Sequence, residues 1–429
     1  MTNTLERTIV GLDVGTTKIC AIIGEGGRDG AVRVLGIGIE PARGLSKGVV
    51  VNLDEAAASI AIAIEKAERL SGCKIGSAYV GVTGEHISSL NSRGVVPIGR
   101  SGGDISVDDV RRAVEAAKAV AVPSQREVIH VIPRTFIVDG QSGVLDPVGM
   151  AGVRLEVETH IVTGAATSLQ NLARCVRRAG VEIDEMVLEP LACGEAVLTP
   201  AERRLGVALV DIGGGTTDLA IFIDGSIWHT AVLPVGGNHL SNDLSIVLRV
   251  PFEAAEELKL HYGRPSLNQR YGKLAVRANE QEADEADEEI PVTSFNGQTE
   301  LVSRHLLNRV IQARIEDVFD RLGKEIRRSG YAGMLPAGVV LTGGCAMLPG
   351  IAELARQVIG LPVRVGQPQR LLDGTAALSR PDHATGVGLL LWGFRNGEPL
   401  AHPAAQRSKG LPRNDMTQKV KNWLREFVP

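Results

Sequence analysis

The sequence predicts an α/β protein with two similar lobes, each built from a sheet and its helices. A small α/β subdomain is expected to be inserted in the first lobe, and an amphipathic helix is expected to end the chain after a flexible linker. One pattern occurs in both halves, at 9–18 and at 209–218: an apolar run, then Asp-x-Gly, then a threonine pair. Its repetition indicates two halves of similar fold. The 50 glycines and 3% aromatic residues are typical of tight strand-to-helix turns and aliphatic cores.

Composition limits the class of protein. With 429 residues, 44% of them apolar, the chain is long enough for two or three folded domains. The formal charge of −4 gives no reason to expect nucleic acid as a partner. Five scattered cysteines without a Cys-x-x-Cys pair indicate neither a disulfide framework nor a zinc site, so a reducing cytoplasm is the simplest setting. We expect no signal peptide and no membrane span, because no uncharged apolar run approaches about 20 residues.

The first lobe is expected to contain a strand meander and two helices. Asn52 or Asp54 can cap a helix that runs to about Leu70, with Gly72 as its stop. A second helix, at 165–179, is expected to end at Gly180. Strands are predicted at 19–23, 32–39, 79–82 and 186–188.

The inserted subdomain is predicted from a change of pattern after the first lobe. Strands are expected at 95–98 and 128–136, and Ser106 with Asp109 forms a capping-box pattern at the start of a helix. Ile161 and Val162 are expected to return the chain to the first lobe. No obvious ligand chemistry lies in the insertion, so a role in contacts and a purely structural role both remain open.

The second lobe is expected to carry a long amphipathic helix at 301–329. The preceding acidic run, 280–289, is either a solvated loop or an interaction tail. The expected boundaries are 1–83 with 161–190 and 366–394 for the first lobe, 84–160 for the insertion, 191–237 with 330–365 for the second-lobe core, 238–329 for its small subdomain, 395–415 for the linker and 416–429 for the terminal helix.

The repeated glycine turns predict a phosphate site. Glycines can reach positive φ and bring backbone N–H groups close to an anion, and threonine hydroxyls add donors. Asp211, at the end of an apolar strand, could hold Mg²⁺ through its waters, because this ion is usually kept by a few carboxylates and phosphate oxygens. The alternative is that such turns only reverse a hairpin. The residues concerned are Gly15, Thr16, Thr17, Gly213, Gly214, Gly215, Thr216 and Thr217.

Four other places could face the same ligand. Glu189, before Pro190, could orient an attacking water or could simply be a first-turn acid favoured by the helix dipole. Glu256 and Lys259 share a helical face and form either a surface ion pair or a pocket wall. Glycine loops that include Gly236 and Gly237, and Gly343 and Gly344, could approach phosphates and a flat nucleobase or its sugar.

The C-terminal tail predicts a membrane contact. Residues 395–415 are rich in proline, glycine and polar residues, and as flexible coil they would reach on the order of 25 Å. Residues 416–429 place apolar side chains at helical spacing with basic flanks, which suits a membrane surface. The alternative is a last helix docked on its own core. The residues expected to meet the membrane are Lys419, Val420, Lys421, Trp423, Leu424, Arg425 and Phe427.

The two Asp-x-Gly turns, the Glu-Pro turn and the Leu-Thr-Gly-Gly loop, in this order, resemble the actin-like ATPase superfamily. Within it, the motifs at 15–18, 211–218, 341–346 and 384–391 resemble the FtsA family of bacterial cell-division proteins, over about 7–393 and again at the C-terminus. The resemblance implies ATP and Mg²⁺ as ligands, at most slow hydrolysis, and a nucleotide state that controls assembly into actin-like filaments.

The resemblance also assigns roles to residues. Asp13, Gly15, Thr16 and Thr17 would meet the phosphates from one lobe, where Lys18 either reaches a phosphate or lies on the surface. Asp211, Gly213, Gly214, Gly215 and Thr216 would meet them from the other, extended by Gly236 and Gly237. Glu256 and Lys259 would meet the ribose or adenine edge, and Gly343, Gly344 and Met347 the adenosine. Asp13 and Asp211 would hold the metal through water, and with Glu189, which places the attacking water, they are the expected catalytic residues.

By the same resemblance, the chain would tether filaments of the tubulin-like protein FtsZ to the membrane. The C-terminal peptide of FtsZ would dock near 240–330, copies of the chain would form a filament, and other divisome proteins would be recruited. The expected location is the cytoplasmic face of the inner membrane at the division site, with peripheral attachment to its anionic surface. The alternatives are a pilus-type scaffold and a small-molecule kinase of the same fold, although no catalytic aspartate in a polyol pocket is evident.

Overall fold

A computed structural model describes part of the chain, namely residues 8–26, 31–99, 103–119, 122–265, 288–372 and 376–396. The predicted terminal helix at 416–429, nearly all of the linker and most of the acidic run lie outside the described residues. Residues 395 and 396 were predicted to begin the linker, but they form the last turn of a helix.

The first lobe is built on a five-stranded sheet. Strands β1 to β3 form an antiparallel meander, and β6 and β11 pair in parallel beside β1, which gives the order β11-β6-β1-β2-β3. The elements before the insertion are β1 (Thr8–Val14), β2 (Lys18–Gly26), β3 (Val32–Pro41), β4 (Leu45–Ser46), β5 (Val49–Val50), α1 (Leu53–Ser71) and β6 (Ser77–Val82). Those after it are α3 (Ala166–Arg178) and β11 (Glu182–Leu188), and two helices, α4 (Glu189–Val197) and α5 (Pro200–Leu205), then lead to the second lobe.

Helix α1 begins and ends where its sequence predicts. The Asn52 side chain accepts hydrogen bonds from the backbone N–H groups of Asp54 at 3.1 Å and Glu55 at 3.3 Å, so Asn52 is the cap. Gly72 ends the helix at φ 72°, a left-handed conformation that favours glycine. The helix packs against β3 where Gly38 lacks a side chain, because a Cβ there would lie 1.8 Å from the carbonyl oxygen of Ala63.

The inserted subdomain has its own sheet, in the order β7-β10-β8-β9, with one helix on it. Ser106 and Asp109 form the predicted capping box at the start of the helix. The prediction for Ile161 and Val162 was wrong: both lie in the central strand β10 and pair with β7 and β8, because the apolar and polar residues of 154–165 form one continuous strand. The elements are β7 (Ser88–Pro97), α2 (Val107–Lys118), β8 (Arg126–Val138), β9 (Gln141–Val144) and β10 (Arg154–Ala165).

The core of the second lobe repeats the first. Its sheet has the order β14-β13-β12-β17-β18, an antiparallel meander of three strands followed by two parallel ones, as in the first lobe. The predicted duplication is therefore confirmed. The elements are β12 (Val207–Ile212), β13 (Thr217–Ile223), β14 (Ser226–Leu233), β17 (Val339–Thr342), α9 (Ile351–Ile359) and β18 (Val363–Val365).

The small subdomain of the second lobe covers one side of this core. Its long helix was predicted from residue 301 but starts at Arg304, because 299–303 pair as a strand and the Ser303 hydroxyl caps the helix. The described elements are α6 (Gly237–Leu248), α7 (Phe252–Tyr262), β15 (Glu289–Thr293), β16 (Thr299–Ser303) and α8 (Arg304–Arg328).

Two helices lie between the sheets and join the lobes. Helix α10 (Ala384–Asn396) contacts β1 and β2, as predicted for a return to the first lobe, and it crosses α4 closely. A Cβ at Gly388 would lie 2.0 Å from the carbonyl oxygen of Ala192. Their apolar residues share one cluster with Ile22 of the first sheet and Leu209 of the second. None of the helices among the described residues has the length and apolar character needed to cross a bilayer.

We expect Gly38→Ala to lower the melting temperature, because the added methyl group would push α1 away from β3. Overpacking of this kind typically costs about 1–3 kcal/mol. Gly76→Ala is the matched control, since nothing lies within 4 Å of a Cβ there. Thermal unfolding followed by circular dichroism measures both variants, and equal melting temperatures would contradict the proposed close contact.

Candidate functional site

The two predicted glycine turns face each other across the cleft between the lobes. Each has the same backbone hydrogen bond, from Gly15 N to the Lys18 oxygen at 3.1 Å and from Gly213 N to the Thr216 oxygen at 3.0 Å. The turns are in direct contact. A Cβ at Gly214 would lie 2.2 Å from Thr17 Cγ2, so no side chain fits between the turns at that position.

A third glycine loop packs on the second turn. Gly237 N donates to the Gly213 oxygen at 2.9 Å, and Asn238 N donates to the Gly214 oxygen at 2.8 Å. A Cβ at Gly236 would lie 2.6 Å from the Gly213 oxygen. Helix α6 starts at Gly237, so its positive N-terminal end adjoins the turn, which favours an anion there.

Glu256 and Lys259 form a partly buried pair beside this loop. Lys259 Nζ lies 2.6 Å from Glu256 Oε2 and donates to the Gly237 oxygen at 3.2 Å and to Ser241 Oγ at 2.9 Å. Lys259 is only 6% exposed. The pair is therefore attached to the glycine loop and is not an ordinary surface ion pair.

The Leu-Thr-Gly-Gly loop reaches the same place. Gly343 has φ 85°, a left-handed conformation that favours glycine. A Cβ at this position would also lie 2.1 Å from Asp211 Oδ1, so any side chain would clash with the carboxyl group. Gly344 has nothing within 4 Å of a Cβ position. Met347 is 42% exposed and lies 3.5 Å from an Arg380 guanidinium nitrogen, so its side chain is open to solvent.

Four buried carboxyl groups converge on the cleft: Asp13, Glu189, Asp211 and Asp218. Burial raises the pKa of Asp13 to about 7, with Lys18 opposing the rise and Asp211 adding to it. Burial also raises the pKa of Asp218 to about 7 and that of Glu189 well above its ordinary value. Across the described ranges, no three His, Cys, Asp or Glu side chains are placed to hold a metal ion directly.

The partners of these acids differ. Asp211 Oδ2 accepts from Cys193 Sγ at 3.0 Å and from Thr385 Oγ1 at 3.2 Å, so α4 and α10 hold it in place. Glu189 Oε1 is buried without a hydrogen-bond partner among the described residues. Lys18, left open between a phosphate contact and the surface, lies 3.1 Å from Asp382 Oδ2.

Sequence reasoning missed several residues of the site. Asp218 lies opposite Asp211 in the hairpin of β12 and β13. The register of that hairpin could therefore have indicated that Asp218 belongs to the site. Thr83, which donates to Asp218 Oδ1, follows β6 and belongs to no motif. Cys193, Thr385 and Asp382 are single residues far from the glycine turns in sequence, and only the fold brings them there.

Comparisons with known proteins identify the family. A family described as Cell division protein FtsA matches residues 208–388, and the SHS2 domain inserted in FtsA matches 84–163. Over 422 residues the chain is 42% identical to the Cell division protein FtsA of Pseudomonas aeruginosa, with 97% of each chain covered. The chain belongs to the FtsA family. The FtsA of Escherichia coli strain K12 is 34% identical over 432 residues, covering 98% of both.

Solved structures place this FtsA family member in the actin-like fold. A PilM-PilN type IV pilus biogenesis complex has a TM-score of 0.63 at 16% identity, covering 90% of this chain and 98% of that one. MreB5 of Spiroplasma citri bound to ADP has a TM-score of 0.53 at 15% sequence identity, and the match covers 89% of this chain and 94% of that one. At these identities the likeness shows the fold alone, and it confirms the two-lobed prediction. With the FtsA relatives, it makes the chain an actin-like cell-division protein.

The raised pKa of Asp218 predicts a pH effect on stability. The folded protein keeps the Asp218 proton above the ordinary pKa of 3.8. This proton therefore contributes most to the free energy of unfolding below about pH 4, and its contribution is lost as pH rises to about 7. Asp218→Asn should remove a pH-dependent loss on the order of 4 kcal/mol from the free energy of unfolding.

Urea unfolding between pH 4 and 8, without nucleotide, measures this slope. Asp224→Asn, in the exposed turn that follows the same strand, is the control and should follow the wild-type profile. Identical slopes for Asp218→Asn and the wild type would refute the expectation.

Proposed function

We propose that this FtsA family member binds ATP with Mg²⁺ between its lobes and polymerises. In that form it would tether FtsZ filaments to the cytoplasmic membrane. The observation that carries the proposal is the contact between two glycine turns from separate lobes, above a group of buried carboxyl groups. Turns of this composition offer backbone N–H groups to phosphate oxygens, and each lobe supplies one of them.

The residues of the cleft fit a nucleotide with its metal. Gly214 and Gly236 leave no room for side chains, as expected where backbone must approach phosphates. The buried Lys259 offers a positive charge beside them. Glu189 Oε1 is buried without a hydrogen-bond partner among the described residues, which supports a role in accepting a hydrogen bond from the attacking water. Asp13 and Asp211 would hold the waters of the ion, which would neutralise phosphate charge.

Nucleotide binding would control the angle between the lobes. Because each lobe supplies half of the phosphate ligands, a triphosphate stabilises the closed cleft by the difference in contacts between the closed and open forms. The closed form is the one we assign to filaments. Hydrolysis is expected to be slow at most.

Membrane attachment would come from 416–429. Burying one large apolar side chain is worth about 1.5–3 kcal/mol, but ordering a short helix offsets part of this gain. A single copy therefore binds weakly, whereas a filament binds firmly through many copies. FtsZ, through its C-terminal peptide, and other divisome proteins would then be gathered at the division site on the inner face of the membrane.

The alternative is a pilus-type scaffold of the same fold. Electron microscopy of lipid monolayers separates the two. With ATP and Mg²⁺, the full chain should form filaments on an anionic monolayer and recruit FtsZ. Absence of both filaments and FtsZ from the monolayer would refute the proposed function.

Gly214→Ala should weaken ATP binding about tenfold or more, because its methyl group would meet Thr17 and force the turns apart. Isothermal titration calorimetry with Mg²⁺ and ATP measures the affinity. Gly333→Ala, where a Cβ has nothing within 4 Å, serves as control. Unchanged affinity in Gly214→Ala would argue against the turns as the phosphate site.

Deletion of 416–429 should leave ATP binding intact and abolish sedimentation with anionic liposomes, because the apolar and basic side chains of the helix are removed. Replacing Trp423 by Glu within the full chain is the matched point variant. Sedimentation of the truncated protein at the wild-type level would show that another surface binds the membrane.

A further inference from the structure

The two lobes are joined across the cleft by a hydrogen bond between buried side chains. Thr83 Oγ1, at the end of β6 in the first lobe, donates to Asp218 Oδ1, in β13 of the second. Thr83 is 6% exposed and Asp218 is 2% exposed. Solvent therefore cannot readily replace the bond while the cleft is closed.

Asp218 depends on this donor. Its carboxyl group is buried opposite Asp211 in the hairpin register, and its other side-chain donor is Thr216, within the same turn. If the lobes part, Asp218 loses the donor that comes from the first lobe. A buried carboxylate without its hydrogen bonds is unfavourable until water reaches it, so the bond resists the first movement of opening.

The bond is also connected to the glycine turns through the loop at Gly48. A Cβ on Gly48 would lie 2.9 Å from the Thr83 carbonyl oxygen, so the loop lies directly on the residue. Gly48 N donates to Thr16 Oγ1 at 3.1 Å. Thr16 Oγ1 in turn lies 2.6 Å from the Cβ position of Gly215. Packed atoms therefore connect both turns to Thr83.

We propose that Thr83 is a positioning residue that, through Asp218, latches the lobes together and sets the rate of nucleotide release. The latch acts on the cleft and not on the bond that is hydrolysed. This inference rests on the proposed function for its nucleotide, but the latch itself is a property of the protein without nucleotide.

Interlobe fluorescence energy transfer tests the latch directly. Cys73 is exposed on the first lobe and the other four cysteines are buried, so Cys73 and an introduced Gln357→Cys on exposed α9 take the dyes. In protein without nucleotide, Thr83→Val should lower the transfer efficiency, because the hydroxyl donor is lost. Thr83→Ser keeps the donor and should restore the wild-type value.

Release of a fluorescent ATP analogue gives the second readout. Thr83→Val should release it about tenfold faster, with a much smaller change in association rate, and Thr83→Ser should release it at the wild-type rate. Wild-type transfer and release in Thr83→Val would overturn the latch. So would a serine variant that is as open as the valine variant, since a packing defect would then explain both.

Two outcomes separate the latch from the proposed function. If the wild type fails to bind any adenine nucleotide, the proposed function falls, and the energy transfer of the nucleotide-free variants still decides the latch. If Thr83→Val does not fold, Thr83→Ala replaces it. Alanine also lacks the hydroxyl donor and should lower the transfer efficiency, and wild-type transfer in that variant would overturn the latch.

Discussion

Contact between the two glycine turns is the constraint on which the rest of the structure depends. Thr17 of one lobe occupies the space where a side chain of residue 214 would lie, so the turns meet only because the second is made of glycine. Each turn is held at the end of a fully paired hairpin. The sheets, the helices between them and the supporting loops all serve to place these two turns face to face.

The architecture could be predicted because one sequence pattern occurs in both lobes and because local signals mark the ends of helices. The repeated Asp-x-Gly pattern indicated two similar halves, and the cap at Asn52 and the glycine at 72 marked the ends of α1. Strand β10 was not predicted, although residues 154–158 alternate polar and apolar side chains, because the return to the first lobe was assigned to Ile161 and Val162, which lie within it. The start of α8 was misplaced because 299–303 have a partner strand that no local pattern reveals.

The site was predictable to the extent that it uses motifs. Glycine turns, the loop before α6 and the Glu256 and Lys259 pair all meet where the sequence suggested. The environment of the acids could not be foreseen, because Cys193 and Thr385 approach Asp211 only when α4 and α10 pack between the lobes. The raised pKa values of Asp13 and Asp218 likewise follow from burial, which depends on the complete fold.

The crossing of α4 and α10 has a mechanical consequence. Gly388 brings the backbones of these helices together so closely that a sliding movement would drive a carbonyl group into a Cα atom. Because both helices lie between the two sheets, this contact limits how far they can slide past each other. A change in the angle between the lobes would therefore have to keep the two backbones in contact at Gly388.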